Sequence, residues 1–415
     1  MDLHDFCIEM GFDLQTEELF KPHWERLCNN TVSGIPSFMT REFFDKWYPR
    51  CKGPAGLDQE VDEVLRIVEN DPVCARYAAM LHYAYFIATP YIGIIPPLSE
   101  KKFGKNAGIF HLFIVMSSLP LIEKTHQNLR LPEKYFLDTC TWIGGTISIY
   151  AAAHEGYPGH TPSQTYWMRF HIDGKLFRVG RFEYMMEPFS PALPAIFRNR
   201  KDNSLAVLCR DQWAFDGNGF RVDPDKETPA FTARLKFLDN RVTGTPVTPY
   251  GFPQTGRKVT LDLTEWEAIC SPWDTCLGIH IPGGGGMTEQ AVRDSLLEAR
   301  QFFRKYFSVD IKVFQCSSWL FNPAWEKELP DSNLALLQRN VYLTPPLPLW
   351  GCPGFFFVYG RPNGDPRQFQ CTTSLHKAFC RIAERGEPLR NGAMFILASD
   401  LESFGKNTYR NSNIF

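Results

Sequence analysis

The spacing of apolar positions changes near the middle of this chain. Up to about residue 165 they recur every three or four residues. Leu3, Phe6, Cys7 and Met10 make a first stripe, stopped by Gly11, and Val61, Val64, Leu65 and Val68 make another. This spacing predicts amphipathic helices. A longer helix is predicted over residues 133–154, ended by the glycines and prolines of 156–162, and a further one over 163–172. Gly144-Gly145 inside the long helix marks a point where another backbone packs closely. After Gly174 short extended runs take over, at 176–186, 195–200, 205–208 and 259–263, with turn signals at Asn203 and around Gly217. The proline-rich stretch 228–254 reads as surface loop and 264–269 as a short helical turn. Further on, Asn322-Pro323 starts a brief helix, Asp331 caps another, 354–359 reads as a strand and 373–385 as a helix. The pattern predicts an α+β protein, with a helical domain over 1–165 and a mixed α/β domain over 166–415.

The most structured stretch runs from Thr275 to Glu328. Leu277, Ile279 and Ile281 alternate with Cys276, Gly278 and His280, the period of a strand. Pro282 and four glycines, Gly283, Gly284, Gly285 and Gly286, follow. Val292, Leu296, Ala299, Phe303 and Phe307 then mark one face of a helix that Thr288 can cap, and a second apolar run begins at Ile311. A helix N-terminus offers unpaired N–H groups, and glycines before it let phosphates approach the backbone. The unit therefore suits a pyrophosphate, of a nucleotide or of coenzyme A.

Composition narrows the classes. Lys and Arg number 44 against 46 Asp and Glu, so charge gives no case for nucleic acid or an anionic membrane as partner. The 12 cysteines are scattered without a CxxC pair, which points to free thiols, no metal site and a cytoplasmic setting. Residues 77–98 and 108–122 are apolar enough to mimic membrane spans, but histidines and prolines interrupt both, and they read as buried helices.

Five motifs stand in a recognisable order. They are Leu176 to Glu183; Leu277 to Pro282 with the helix ending in Phe302-Phe303; Cys316-Ser317-Ser318-Trp319-Leu320; Leu329-Pro330-Asp331-Ser332-Asn333; and Thr372-Thr373-Ser374-Leu375. Together they resemble a bacterial acyltransferase-like family with a helical N-terminal domain and a GNAT-like C-terminal domain. The resemblance implies a GNAT-like fold for the second half, acetyl-CoA or another acyl-CoA as co-substrate, and a small acceptor, an amine. The superfamily's Arg/Gln-x-x-Gly-x-Gly/Ala is absent here, and only the glycines remain.

Acyl transfer to an amine needs a base, a polarised carbonyl, a protonated leaving thiolate and alignment. His280, where the central strand meets the glycine loop, is the first candidate base, and Glu183, in an otherwise apolar or basic strand, is the second. Each also has a structural reading, His280 bonded to a neighbouring carbonyl and Glu183 paired with Arg181 or Arg178. Ser318, or its neighbour Ser317, offers the proton for the thiolate. Ile281 and the four glycines form the expected coenzyme-binding edge, and Cys316 reads as a core cysteine. The rival reading is a non-catalytic ligand-binding or interaction module that keeps the fold.

His154-Glu155-Gly156-Tyr157-Pro158-Gly159-His160 resembles the HExxH pattern of zinc peptidases, and more closely a His-Glu-x-x-Pro-Gly-His variant. In HExxH the histidines share one helical face, four residues apart. Here they are separated by a Pro-Gly break, so the segment reads as a helix-to-helix connection that holds no metal.

Overall fold

The computed structural model describes residues 1–31, 34–348 and 353–411. The chain divides into two compact units, Met1–Arg178 with Pro282–Gly284, and Val179–Ile281 with Gly285–Phe415. The first is helical. The Arg41–Cys51 helix starts where Thr40 Oγ1 accepts the Phe43 N–H, and Asp58–Asn70 buries the predicted stripe of Val61, Val64, Leu65 and Val68. Pro72–His82 begins with an Asp71 cap and a proline in its first turn, where no N–H is missed. Ala107–Met116 is buried on every side. Glu133–Ala153 carries the two glycines at close approaches. A side chain at Gly144 would run into the Cys51 carbonyl, and one at Gly145 would come within 3.1 Å of the Gly283 oxygen. The helix expected over 163–172 is instead two short ones, Pro162–Thr165 and Met168–Ile172.

One helical run, Glu100–Asn128, has the length and a mean hydropathy of 1.4 that would let it cross a bilayer, yet 83% of that window is buried inside the protein. Its apolar character is accounted for by the core it builds with Phe6, Tyr77 and Ile143.

Strands begin at the end of the helical unit. In chain order they are β1 (Leu176–Val179), β2 (Phe182–Pro188), β3 (Ala195–Asn199), β4 (Leu205–Leu208), β5 (Ala214–Phe215), β6 (Phe231–Thr232) and β7 (Leu235–Leu238). They continue as β8 (Arg241–Gly244), β9 (Val259–Asp262), β10 (Trp266–Ala268), β11 (Thr275–His280), β12 (Val313–Ser318), β13 (Tyr342–Thr344) and β14 (Gly392–Leu397). The main sheet has the order β1-β2-β11-β12-β14-β13, and smaller sheets join β10-β3-β4, β5-β6 and β7-β8-β9. In the main sheet β11 and β12 run parallel, linked by the Glu289–Phe307 helix, which buries Val292, Leu296, Ala299, Phe302 and Phe303. Burying each such apolar side chain contributes about 1.5–3 kcal/mol.

Several local expectations are corrected. Residues 264–269 hold β10, whose Trp266 pairs with Asn199, and 228–254 hold β6, β7 and β8. The β7–β8 hairpin turns at Asp239 and Asn240, a turn signal outweighed in the sequence by the surrounding prolines. Residues 354–359 form a helix, Phe355–Tyr359, bounded by Gly354 and Gly360 in the left-handed region, and Phe355 and Tyr359 pack their tilted rings 4.5 Å apart across one turn. A short apolar run does not by itself distinguish these states. Ser332, not Asp331, caps the Asn333–Asn340 helix. The interior strand β14 and the edge strand β13 beside it carry no signal that the sequence pattern reveals. Nine described cysteines are free thiols, but Cys371 and Cys380, nine residues apart around the start of the Ser374–Glu384 helix, form a disulfide.

Candidate functional site

The parallel contact between β11 and β12 is short. Only Leu277↔Phe314 and Gly278↔Gln315 are paired. Beyond them β11 stays with β2 as far as His280↔Glu183, and β12 stays with β14 as far as Ser318↔Gly392. The carboxyl ends of the two central strands therefore part. Ligands of open α/β sheets bind in such a crevice, outside the carboxyl ends of strands. The parting also leaves strand edges whose N–H and C=O groups can bond an extended ligand as a neighbouring strand would.

Residues directly opposite in a ladder share a face of the sheet. One face carries Phe182 and Tyr184 of β2, Leu277 and Ile279 of β11, and Phe314, Cys316 and Ser318 of β12. Tyr184 fixes it to the Glu289–Phe307 helix, with its hydroxyl 2.8 Å from Ser295 Oγ, which itself donates to the Val179 carbonyl at 2.6 Å. The other face carries Glu183, Met185 and Glu187, then Cys276, Gly278 and His280, then Val313, Gln315 and Ser317. It is apolar where Cys276 and Val313 join the core with Phe189 and Phe395. It becomes polar towards the opening, where Glu183 and His280 stand opposite each other.

The two candidate bases are thus brought together. Glu183 is 1% exposed and His280 half-buried, and opposed side chains in an antiparallel pair hold their Cβ atoms about 4.5–5.5 Å apart. The two serines are separated. Ser317 shares the His280 face and is exposed, while Ser318 lies on the helix side and its Oγ accepts the Leu320 N–H at 3.3 Å. Cys316 is buried, and burial, with Glu187 adding to it, pushes its thiol far above the ordinary cysteine range, as befits a core cysteine.

A polar link on the same face was not foreseen. Gln315 Nε2 donates to Glu187 Oε1 at 2.6 Å and to the Pro188 carbonyl at 3.1 Å, while its Oε1 accepts the Ser190 N–H at 3.0 Å. The link passes over Gly278, where a side chain would run into the Glu187 carboxylate. A glycine in the middle of a strand signals such close passage. Arg181, a candidate partner for Glu183, donates its Nε to the Gly286 carbonyl at 3.1 Å, which puts a guanidinium beside the glycine loop.

That loop is exposed, and Gly284 and Gly285 take φ of 74° and 69°, values costly for any other residue. Thr288 then caps the helix through the Ala291 N–H at 3.3 Å. Strand end, loop and helix start follow in the predicted order, and a helix start leaves its first backbone N–H groups without partners inside the helix.

The His154–His160 segment lies in the helical unit. His154 stacks on Tyr150 with ring centroids 3.8 Å apart, and its Nδ1 is 2.8 Å from the Tyr150 carbonyl oxygen. His160 is fully buried, its Nδ1 3.0 Å from Thr146 Oγ1 and its N–H bonded to the Gly108 carbonyl. Among the described residues no group of three His, Cys, Asp or Glu side chains is placed to hold a metal ion.

A parted parallel pair, a glycine loop and a long helix between the two strands define a GNAT-like domain that follows a helical region in the chain. The chain belongs to the GNAT-like C-terminal domain family, which matches residues 176–395. Its fold is similar to that of an acyltransferase solved in complex with decanoyl-CoA and teicoplanin, at 19% identity and a TM-score of 0.60, over 96% of this chain and 99% of that one. The same values hold for an acyltransferase in complex with CoA and 10C-Teicoplanin. An acyltransferase in complex with decanoyl-CoA alone is 18% identical with a TM-score of 0.57, over 95% of this chain and 99% of that one. No curated protein matches in sequence.

Proposed function

We propose that this protein is an acyltransferase that moves an acyl group from an acyl-CoA thioester to the amine of a small acceptor. The observation that carries the reading is the opening between β11 and β12, with His280 and Glu183 opposed at its edge and the glycine loop directly after β11. The acyl-CoA complexes of proteins with this fold support the choice of co-substrate.

In this reading the backbone of Gly283, Gly284, Gly285 and Gly286 and the start of the Glu289–Phe307 helix hold the pyrophosphate, and Ile281 lines the way in. The parted strand edges hold the extended arm of the coenzyme. The amine nitrogen attacks the thioester carbonyl and gives up a proton to His280, with Glu183 as the alternative acceptor. A backbone N–H where the strands part bonds the developing oxyanion. The C–S bond then breaks, and the thiolate takes a proton relayed through a serine hydroxyl at the end of β12, which the protonated base replenishes with the proton taken from the amine. Ser317 suits that role better than Ser318, because it shares the face of His280.

The test has two stages. Acetyl-CoA, decanoyl-CoA and CoA should each raise the melting temperature, since a ligand of the native state stabilises it. With a panel of amines, release of free CoA should then report turnover. His280→Gln should lower kcat by a factor on the order of 100 while coenzyme affinity is kept, because backbone and not imidazole holds the phosphates. If Glu183→Gln has that effect and His280→Gln does not, the base is Glu183. A protein that binds no coenzyme and turns over no acceptor would be the non-catalytic module instead.

A further inference from the structure

The helical unit contains a groove that the acyl-transfer reading does not use. Its volume is about 470 Å³, within the range of ligand pockets. One wall is the connection after the Arg41–Cys51 helix, Pro54 to Leu57, pinned where the Tyr48 hydroxyl donates to the Pro54 carbonyl at 2.7 Å. The second wall is a face of the Glu133–Ala153 helix, with Ile147, Ser148 and Ala151 one helical turn or less apart. The third is Gly156 and Pro158, so the segment that resembles a zinc motif serves here as a wall. That wall is preformed. His154 is stacked on Tyr150, His160 is buried, and Glu155 sits in the left-handed region at φ 53°. Strain of this kind in a non-glycine residue gathers at ligand sites.

The lining is apolar except for Ser148 and one charged group, Glu60. Glu60 Oε2 is buried and has no hydrogen-bond partner among the described residues. No lysine, arginine or histidine lines the groove to answer it. A carboxylate with one oxygen withdrawn from solvent and without a donor is costly, and a ligand that sets a positive charge against the carboxylate relieves that cost. A single carboxylate is too few for a metal ion, and its charge repels an anion.

We propose that this groove binds a primary ammonium carried on an alkyl or aromatic body, with the ammonium on Glu60 and the body against Leu57, Ile147, Ala151 and Pro158. The site is independent of the acyl-transfer reading, and its test uses no coenzyme. Calorimetry on the full chain at pH 7 with octylamine and with octanol separates the charge from the apolar body. Octylamine should bind saturably and more tightly than octanol. Glu60→Gln should weaken octylamine roughly ten- to a hundredfold, the scale of a lost charged hydrogen bond, and leave octanol unchanged. Ser148→Trp, at an exposed position of the helix, should block both ligands without disturbing the fold. Equal octylamine affinity in wild type and Glu60→Gln, or octylamine binding that survives Ser148→Trp, would overturn the proposal.

Discussion

The helical unit should be acid-labile, and one substitution isolates the cause. His111 and His160 are 0% exposed and His126 is 2% exposed. Burial pushes each imidazole down to about 3, with the charge of His111 adding at His160 and that of His171 adding at His126. Below about 6.5 the unfolded chain binds a proton at each of these rings that the folded chain refuses. Stability present above that pH is therefore lost as pH falls from about 6.5 towards 3. At pH 5 the loss is about 2 kcal/mol per histidine, or about 6 kcal/mol for the three, a large share of the roughly 5–15 kcal/mol that holds a protein folded. Among the described residues neither ring nitrogen of His111 has a hydrogen-bond partner, so His111→Leu removes the titration and strands no partner. Urea unfolding of wild type and His111→Leu, followed by hydrogen exchange in the helical unit, should show the variant gaining about 2 kcal/mol on wild type between pH 7.5 and pH 5. A stability difference that does not change with pH, or an imidazole at His111 that titrates near 6.5 in the native protein, would refute the reasoning.

Other outcomes follow from single positions. Gly284 and Gly285 both have positive φ and open space around them, so replacing both with valine should abolish coenzyme binding through backbone strain and leave the rest of the fold intact; unchanged CoA affinity would remove the loop from the site. Gly278→Ala should cost about 2 kcal/mol by displacing the Glu187 carboxylate from Gln315, and chemical denaturation should show a smaller cost in a Glu187→Ala background. Elemental analysis of purified protein should show no stoichiometric zinc, and one equivalent that disappears in His154→Ala would overturn the reading of that segment as a plain connection.

Much of the site's framework was legible along the chain. Period-two alternation placed β11 and put His280 on the face away from Leu277 and Ile279. Period 3.6 placed the Glu289–Phe307 helix, and a polar residue before its first turn, Thr288, marked its start. These features are local: each depends on the residue type and its near neighbours, and a short window of sequence contains the whole cause. What the tertiary structure decided depends on partners far apart in the chain. Glu183 and His280 are opposed only because β2 and β11 pair in one register of several the sequence would allow. The Glu187–Gln315 link joins residues 128 apart and shows in the sequence only as a glycine between them in space. The run Phe355–Tyr359 is a helix and Gly392–Leu397 an interior strand, although both are short and apolar: the strand is buried on both faces and so loses its alternation, and the helix is too short to show a period. The parting of β11 and β12 is likewise invisible along the chain. It arises because each strand keeps its outer neighbour beyond the point where the two leave each other, a competition among four strands that no single segment encodes.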